Sequence, residues 1–333
     1  MGIVCIGLLP NVQAVVPAPD GGYPGGNTAE GQGALFSLTS GGFNTAVGFL
    51  SLRSNTEGQF NTATGAGTLL ANTGNQNTAT GAGALLSNTT GANNTADGAF
   101  TLFTNSTGAF NTAIGVNALF TNTTGFQNTA IGDGALYFNT MGSSNVALGK
   151  NAGTDVTTAN NVICIGADEH GANLSNSCFI GNIFGVTTVN TGTPVLIDTF
   201  GQLGTTSSSR RFKKEIKPMD KASEDILALK PVTFHYKSDK KDTPQFGLIA
   251  EEVAAVNPDL VVRDKDGEIY TVRYDAVNAM LLNEFLKERR TVQELKKEIA
   301  ALTATVKEQA SQIHNVSAQL EVTKPAPQVV NNR

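Results

Sequence analysis

The chain contains no tryptophan, only three cysteines and, across its first 207 residues, only two cations, Arg53 and Lys150. Three cysteines (Cys5, Cys164 and Cys178) are too few for a disulfide framework; Cys164 and Cys178 either pair or stay as buried thiols. Scarcity of cations removes the sustained basic face that a nucleic-acid partner requires. Long apolar runs are missing too. Gly2 to Val16 is mostly apolar but too short to cross a bilayer, so no membrane span is expected. The same stretch lacks a basic n-region, although Val12-Gln13-Ala14 has the small-residue spacing of a signal-peptidase site. Residues 1–14 therefore read as a truncated signal peptide, with a hydrophobic plug for the next domain as the alternative. The three histidines, His170, His235 and His314, are isolated and lack metal-ligand spacing. Asp264 to Glu268 is too short for a calcium loop and reads as a hairpin tip. No metal and no cofactor is expected.

What is there divides unevenly. The chain has 333 residues, 36 of them glycine, and a net charge of −5. Residues 1–207 hold nine carboxylates against the two cations, whereas residues 208–333 hold 19 carboxylates and 21 cations. A near-neutral polar part is followed by a richly charged one, about two domains in all. Residues 15–26, rich in Pro and Gly, read as a linker.

From Asn27 a short repeat takes over. Asn-Thr-Ala-x-Gly begins at Asn27, Asn44, Asn61, Asn77, Asn94, Asn111 and Asn128, then at Asn145 as Asn-Val-Ala-Leu-Gly; the spacing is 17 with a single 16. A fixed period of this length means stacked coils. Seventeen residues at about 3.3 Å each make two short strands and two turns. The expected fold of residues 27–185 is a parallel β-roll with a thin Ala and Thr interior, Gly in the turns and an Asn ladder along the stack. Leu, Phe and Ile occur only once or twice per coil, and phenylalanines such as Phe43, Phe60, Phe103 and Phe120 recur where neighbouring chains would bury them, which points to an oligomer. The pattern resembles the head repeats of trimeric autotransporter adhesins, whose repeat is usually shorter. That resemblance implies a trimer of β-rolls and carries no catalytic residue. Residues 186–206 read as a neck.

Ser207-Ser208-Ser209-Arg210-Arg211-Phe212-Lys213 marks the change of composition. A serine hydroxyl is a poor nucleophile unless a base takes its proton, and a neutral lysine amine does this. Lysine titrates near 10.4, so the amine has to be desolvated or crowded by cations, which Arg210, Arg211, Lys214 and Lys217 supply. Spacing alone fits a blander reading, Ser208 as the N-cap of a basic helix. Three later blocks change the balance: Leu229-Lys230-Pro231-Val232-Thr233-Phe234, Phe246-Gly247-Leu248-Ile249-Ala250-Glu251-Glu252-Val253 and Val272-Arg273-Tyr274-Asp275. With the junction they closely resemble the self-cleaving intramolecular chaperone domain of endosialidase-type phage tail spikes and of many bacterial surface proteins, over residues 207–320. One departure is Ser209, where that family commonly has Asp. The resemblance implies a homotrimer, a Ser208/Lys213 catalytic dyad supported by Arg210 and Arg211, and cleavage between Ser207 and Ser208.

The charged part is expected to be a small α+β domain over 207–274, with a hairpin turn at Asp266-Gly267. A helix over 275–320 follows. Its apolar positions, Leu281, Phe285, Val292, Leu295, Ile299, Leu302, Val306, Ile313, Val316 and Leu320, alternate by three and four with Glu288 and Gln309 as polar entries, a coiled-coil pattern. Residues 321–333 form a tail. The fold class expected is thus mainly β with a C-terminal α+β part. The function expected is a secreted or cell-surface adhesin or fibre whose partners are two further copies of itself and a surface ligand that the sequence does not identify. The alternatives are a trimeriser with an inactive chaperone domain and a phage tail fibre.

Overall fold

The computed structural model describes residues 22–322; the signal-peptide and tail readings, and Cys5, lie outside them. The chain divides into two compact units that meet in sequence at Val189 and Asn190.

The first unit is a parallel β-solenoid. Strand β1 (Gly22–Tyr23), inside the stretch read as a linker, pairs antiparallel with β2 (Asn27–Glu30) and closes one end of the sheet. From β2 onward each coil adds one parallel strand, not the two expected, and turns make the rest of the coil: β3 (Thr45–Val47), β4 (Thr62–Thr64), β5 (Thr78–Thr80), β6 (Thr95–Asp97), β7 (Thr112–Ile114), β8 (Thr129–Ile131), β9 (Val146–Leu148), β10 (Val162–Ile165) and β11 (Ser177–Ile180). Register is set by identity: Thr pairs with Thr and Ala with Ala from coil to coil. The middle residue of each strand points inward, so Ala46, Ala63, Ala79, Ala96, Ala113 and Ala130 are fully or almost fully buried. Across from them stand Leu52, Leu69, Leu85, Leu102, Leu119 and Leu136, all buried and all left-handed, with φ near +50°. A left-handed L-residue costs about 1–2 kcal/mol. Burying a leucine returns roughly 1.5–3 kcal/mol, so the inward side chain wins.

Asparagine satisfies the interior. Each repeat Asn is buried, and its Oδ1 accepts the backbone N–H of the residue at the same place one coil on, Asn in every case but Val162 after Asn145, as in Asn94 N–H to Asn77 Oδ1 at 3.0 Å. Its Nδ2 donates both to that oxygen and to a glycine carbonyl, Gly108 O at 2.9 Å for Asn94. At Gly108 a Cβ would lie 2.3 Å from Asn105 Oδ1 and 2.5 Å from Gly125 O, so only glycine lets the coils close. A second ladder, Asn72, Asn88, Asn105, Asn122 and Asn139, runs beside the first. It fails at two places with local causes. The 16-residue coil shortens Asn55-Thr-Glu-Gly58 to Asn72-Thr-Gly74; Asn72 then turns to Gly74 O, and Asn55 Oδ1 is left without a partner. Seventeen residues past Asn139 the chain has Val156, and Asn139 Oδ1 is orphaned in turn.

The outward strand positions form two columns. One runs Thr28, Thr45, Thr62, Thr78, Thr95, Thr112, Thr129, then Val146, Ile163, Cys178. The other runs Glu30, Val47, Thr64, Thr80, Asp97, then Ile114, Ile131, Leu148, Ile165, Ile180. The aromatics were expected to be buried by neighbouring chains. Within one chain Phe43 stacks on Phe60, and Phe103 on Phe120 on Tyr137, with ring centroids 5.1 Å apart, while Phe43, Phe49, Phe60, Phe100, Phe110 and Phe126 stay exposed.

Alternation also separates the two cysteines. Cys164 pairs in register with Phe179 and points inward, whereas Cys178 pairs with Ile163 and points out. Both are free thiols. Burial, with help from the Glu169 carboxylate and Cys178, pushes the Cys164 thiol up to about 11.

The second unit has little core. Three two-stranded antiparallel hairpins occur: β12 (Leu196–Ile197) with β13 (Leu203–Gly204), β14 (Val232–Phe234) with β15 (Gln245–Gly247), and β16 (Val261–Arg263) with β17 (Ile269–Val272). Helix α1 (Ala250–Val256) and helix α2 (Tyr274–Val322) complete it. Val253, Leu260, Val261, Val272 and Met280 form the buried cluster. Strand β14 stops at Phe234; His235 lies just past it and its Nδ1 is 2.7 Å from Asp242. Residues Asp220–Ala228 form a 3-10 helix.

Candidate active site

The junction carries no core of its own. Every residue from Asn182 to Ala222 is exposed. Ser207 Oγ accepts the N–H of Ser209 at 3.2 Å, a local turn between adjacent hydroxyl residues. A single 3-10 turn follows over Arg210–Phe212, closed by Phe212 N–H to Ser209 O and Lys213 N–H to Arg210 O. The N-cap of that turn is Ser209, without a side-chain cap bond, so the reading of Ser208 as the N-cap of a basic helix does not describe this segment. Lys213 ends the turn in extended conformation, φ −119° and ψ 143°. The Arg211 guanidinium packs on the Phe212 ring, 4.6 Å from its centroid.

Ser208 and Lys213 are thus set at the two sides of one short turn. Among the described residues no hydrogen bond joins them, and both are exposed. Arg210 and Arg211 occupy the turn between them.

Downstream, Tyr274 Oη accepts the N–H of Leu248 at 3.1 Å, and a Cβ on Gly247 would lie 2.8 Å from that oxygen. Strand β15 is thereby tied to the first residue of α2. Beside it opens an apolar groove of about 720 Å³ whose lining includes Ile226, Leu229, Val232, Phe246, Val277 and Leu281. Leu281 is also the first apolar heptad position. From Glu288 to Leu320 every residue of α2 is exposed, including Leu302 at 65 % and Ile313 at 67 %.

One polar cluster was not foreseen. Ser223 is fully buried in the 3-10 helix, and its Oγ donates to Glu284 Oε1 on α2. Asn283 Nδ2 donates to Ser223 Oγ at 2.7 Å, and Lys287 Nζ reaches Glu284 at 2.7 Å and Glu224 at 3.5 Å. Hydrogen bonds from Lys287 and then Ser223 hold the Glu284 carboxyl below its usual range; the bond to Glu284 holds the Lys287 ammonium above its own. Ser223 and Glu284 lie 61 residues apart, and neither has a local motif that would mark it. The cluster fastens the 3-10 helix to α2.

Residues 208–262 match a family model described as chaperone of endosialidase. This stretch is a chaperone-of-endosialidase domain. The match opens on Ser208 itself and ends inside β16. Comparison with curated proteins and with solved structures gives no match. Ahead of the chaperone domain stands the parallel solenoid of 17-residue coils. Among the described residues no helix is long and apolar enough to cross a membrane.

Proposed function

We propose that the chain is a homotrimeric fibre or surface protein whose chaperone-of-endosialidase domain assembles three copies and then cuts itself off between Ser207 and Ser208. The observation that carries this reading is the domain match that begins at Ser208, on an exposed segment, ahead of a helix whose apolar seam is uncovered in one chain. An exposed seam of this length, with a/d spacing, is stabilised by helices of other copies.

The chemistry follows from the residues. Lys213 Nζ takes the proton of Ser208 Oγ, which attacks the carbonyl carbon of Ser207. The Ser207–Ser208 C–N bond breaks, the proton passes to the departing nitrogen of Ser208, and an ester links Ser207 to Ser208 Oγ. Water then hydrolyses the ester, leaving a carboxylate on Ser207 and restoring the Ser208 hydroxyl. Lys213 has to be neutral for the first step, and that requires desolvation beside Arg210, Arg211 and Lys214. A single chain leaves the amine in water; packing of three junctions around one axis removes it. Cleavage is therefore coupled to assembly. The reaction is a single event on the chain's own peptide bond, in cis or from a neighbouring copy. Export to the cell surface or incorporation in a virion tail both suit a fibre of this kind.

A second reading keeps the trimer without the cut. It is favoured by Ser209, where the related domain commonly has Asp, and by the absence of a Ser208–Lys213 hydrogen bond in one chain. A denaturing gel of purified protein separates the two. Two fragments, residues 1–207 and 208–333, are expected from the wild type, and one band at 34.7 kDa from Ser208→Ala and Lys213→Ala. A single band from the wild type leaves only the assembly role.

A further inference from the structure

The outward face of the solenoid strands changes character part-way up the stack. In the first five coils it carries mostly Thr, with Glu30, Val47 and Asp97. From β7 on it carries no charge, and one column becomes Ile114, Ile131, Leu148, Ile165 and Ile180. Four of these stay about 40 % exposed in one chain: Ile114 at 39 %, Ile131 at 40 %, Ile165 at 37 % and Ile180 at 41 %. These aliphatic side chains line up at the coil repeat as an exposed apolar strip on a charge-free part of the sheet.

We infer that this aliphatic half of the strand face lines the threefold axis of the assembly, each copy presenting it to the same face of the other two, while the Thr-rich half stays free. The inference rests on the trimer proposed above. Three observations select a second and third copy as the occupant. First, parallel copies of an in-register solenoid place like rows at like heights, so an uncharged aliphatic row meets its own kind. Second, the aliphatic coils are those nearest in the chain to the chaperone domain and to the heptad helix, the elements that would hold copies side by side. Third, the strip is small. Five strands at about 4.8 Å, two side chains wide, cover a few hundred Å² per copy, below the roughly 800 Å² per partner of a free-standing interface. A strip of that size closes only between copies already tethered, where the effective concentration is high. Among the stacked aromatics Phe103, Phe120 and Tyr137 cover one another's faces, whereas Phe43 and Phe60 stay exposed in the Thr-rich coils.

Cys178 continues the first column and is exposed, which makes it a native probe of the axis. Full-length Cys5→Ala protein is treated with a short bis-maleimide, and its mass in solution is read by sedimentation. A trimer with Cys178 cross-linked between copies is expected, at a yield independent of protein concentration and abolished by Cys178→Ser. The pair Ile131→Lys with Ile165→Lys should lower trimer yield at least tenfold, whereas Thr64→Lys with Thr80→Lys on the same columns should leave it unchanged. A trimer in which Cys178 reacts freely with a mono-maleimide but does not cross-link overturns the placement of this face and leaves the trimer standing. So does equal tolerance of the two lysine pairs. Single chains by sedimentation overturn both readings.

Discussion

The solenoid and the C-terminal region solve opposite problems. In the solenoid the fully buried set includes polar side chains, Asn44, Asn61, Asn77, Asn94 and Asn111 among them, and each is met by the coil before and after it. Its interior is finished within one chain. The C-terminal region reverses this: it exposes Leu295, Leu302, Val306 and Ile313 along α2 and buries a cluster of only five residues. Stability by repetition needs nearest neighbours in sequence; stability of an exposed heptad seam needs other chains. The same polypeptide thus carries a body that folds coil by coil and an end that is incomplete alone.

That contrast can be broken at its most exposed point. Leu295→Asp with Leu302→Asp puts six charges into a trimeric seam. The full-length protein should fall from trimer to single chain by sedimentation, and self-cleavage should drop more than tenfold, while the circular dichroism of the solenoid is kept. The converse test acts inside the solenoid. Asn94→Ala strands the N–H of Asn111 and takes one of two donors from the Gly108 carbonyl and from Asn77 Oδ1, and a buried polar group left unpaired costs about 1–3 kcal/mol. A loss of about 1–3 kcal/mol is expected in denaturant unfolding, whereas exposed Thr95→Ala should stay within about 0.5 kcal/mol. The second ladder refines this. Asn105 bonds Asn88, Asn122 and Gly108, whereas Asn55 bonds Gly58 alone. Asn55→Ala should therefore cost roughly a third of what Asn105→Ala costs.

Much of the solenoid was legible because its signal is periodic. Asn-Thr-Ala-x-Gly states the strand, the inward Ala and the ladder Asn together, and seventeen residues state the coil. Two things were hidden. The single 16-residue spacing is visible in the sequence, but its consequence, an orphaned Asn55 Oδ1, depends on which side of the turn loses the residue. The left-handed leucines were also invisible, since propensity argues against Leu at φ near +50° and only burial reverses it. In the C-terminal region the motifs gave the junction, the Asp266-Gly267 hairpin and the helix. The Ser223–Asn283–Glu284–Lys287 cluster escaped because it is assembled by tertiary contact across some 60 residues. Ser208 and Lys213 are both exposed in one chain, and no hydrogen bond joins them among the described residues.

Smaller effects sharpen the picture further. Glu284 is held below its ordinary 4.5, so its contribution is present above that value and is lost as pH falls through the depressed one. Lys287 is held above its ordinary 10.5, so its contribution is present below that value and is lost as pH rises through the raised one. Hydrogen exchange over residues 220–228 should accelerate at both extremes and stay flat between, and Ser223→Ala should raise it throughout. The least effect on stability, and a clean one on reactivity, concerns the thiols. At pH 7 iodoacetamide should label Cys178 at least a hundredfold faster than Cys164, which is buried and titrates near 11.

The most direct test is the intact mass of the purified protein under denaturing conditions, wild type beside the Leu295→Asp, Leu302→Asp variant. Fragments ending at Ser207 and starting at Ser208 are expected from the first, and an uncut 34.7 kDa chain from the second. An uncut wild type, or a monomeric variant cut as fast as the wild type, would contradict cleavage driven by assembly.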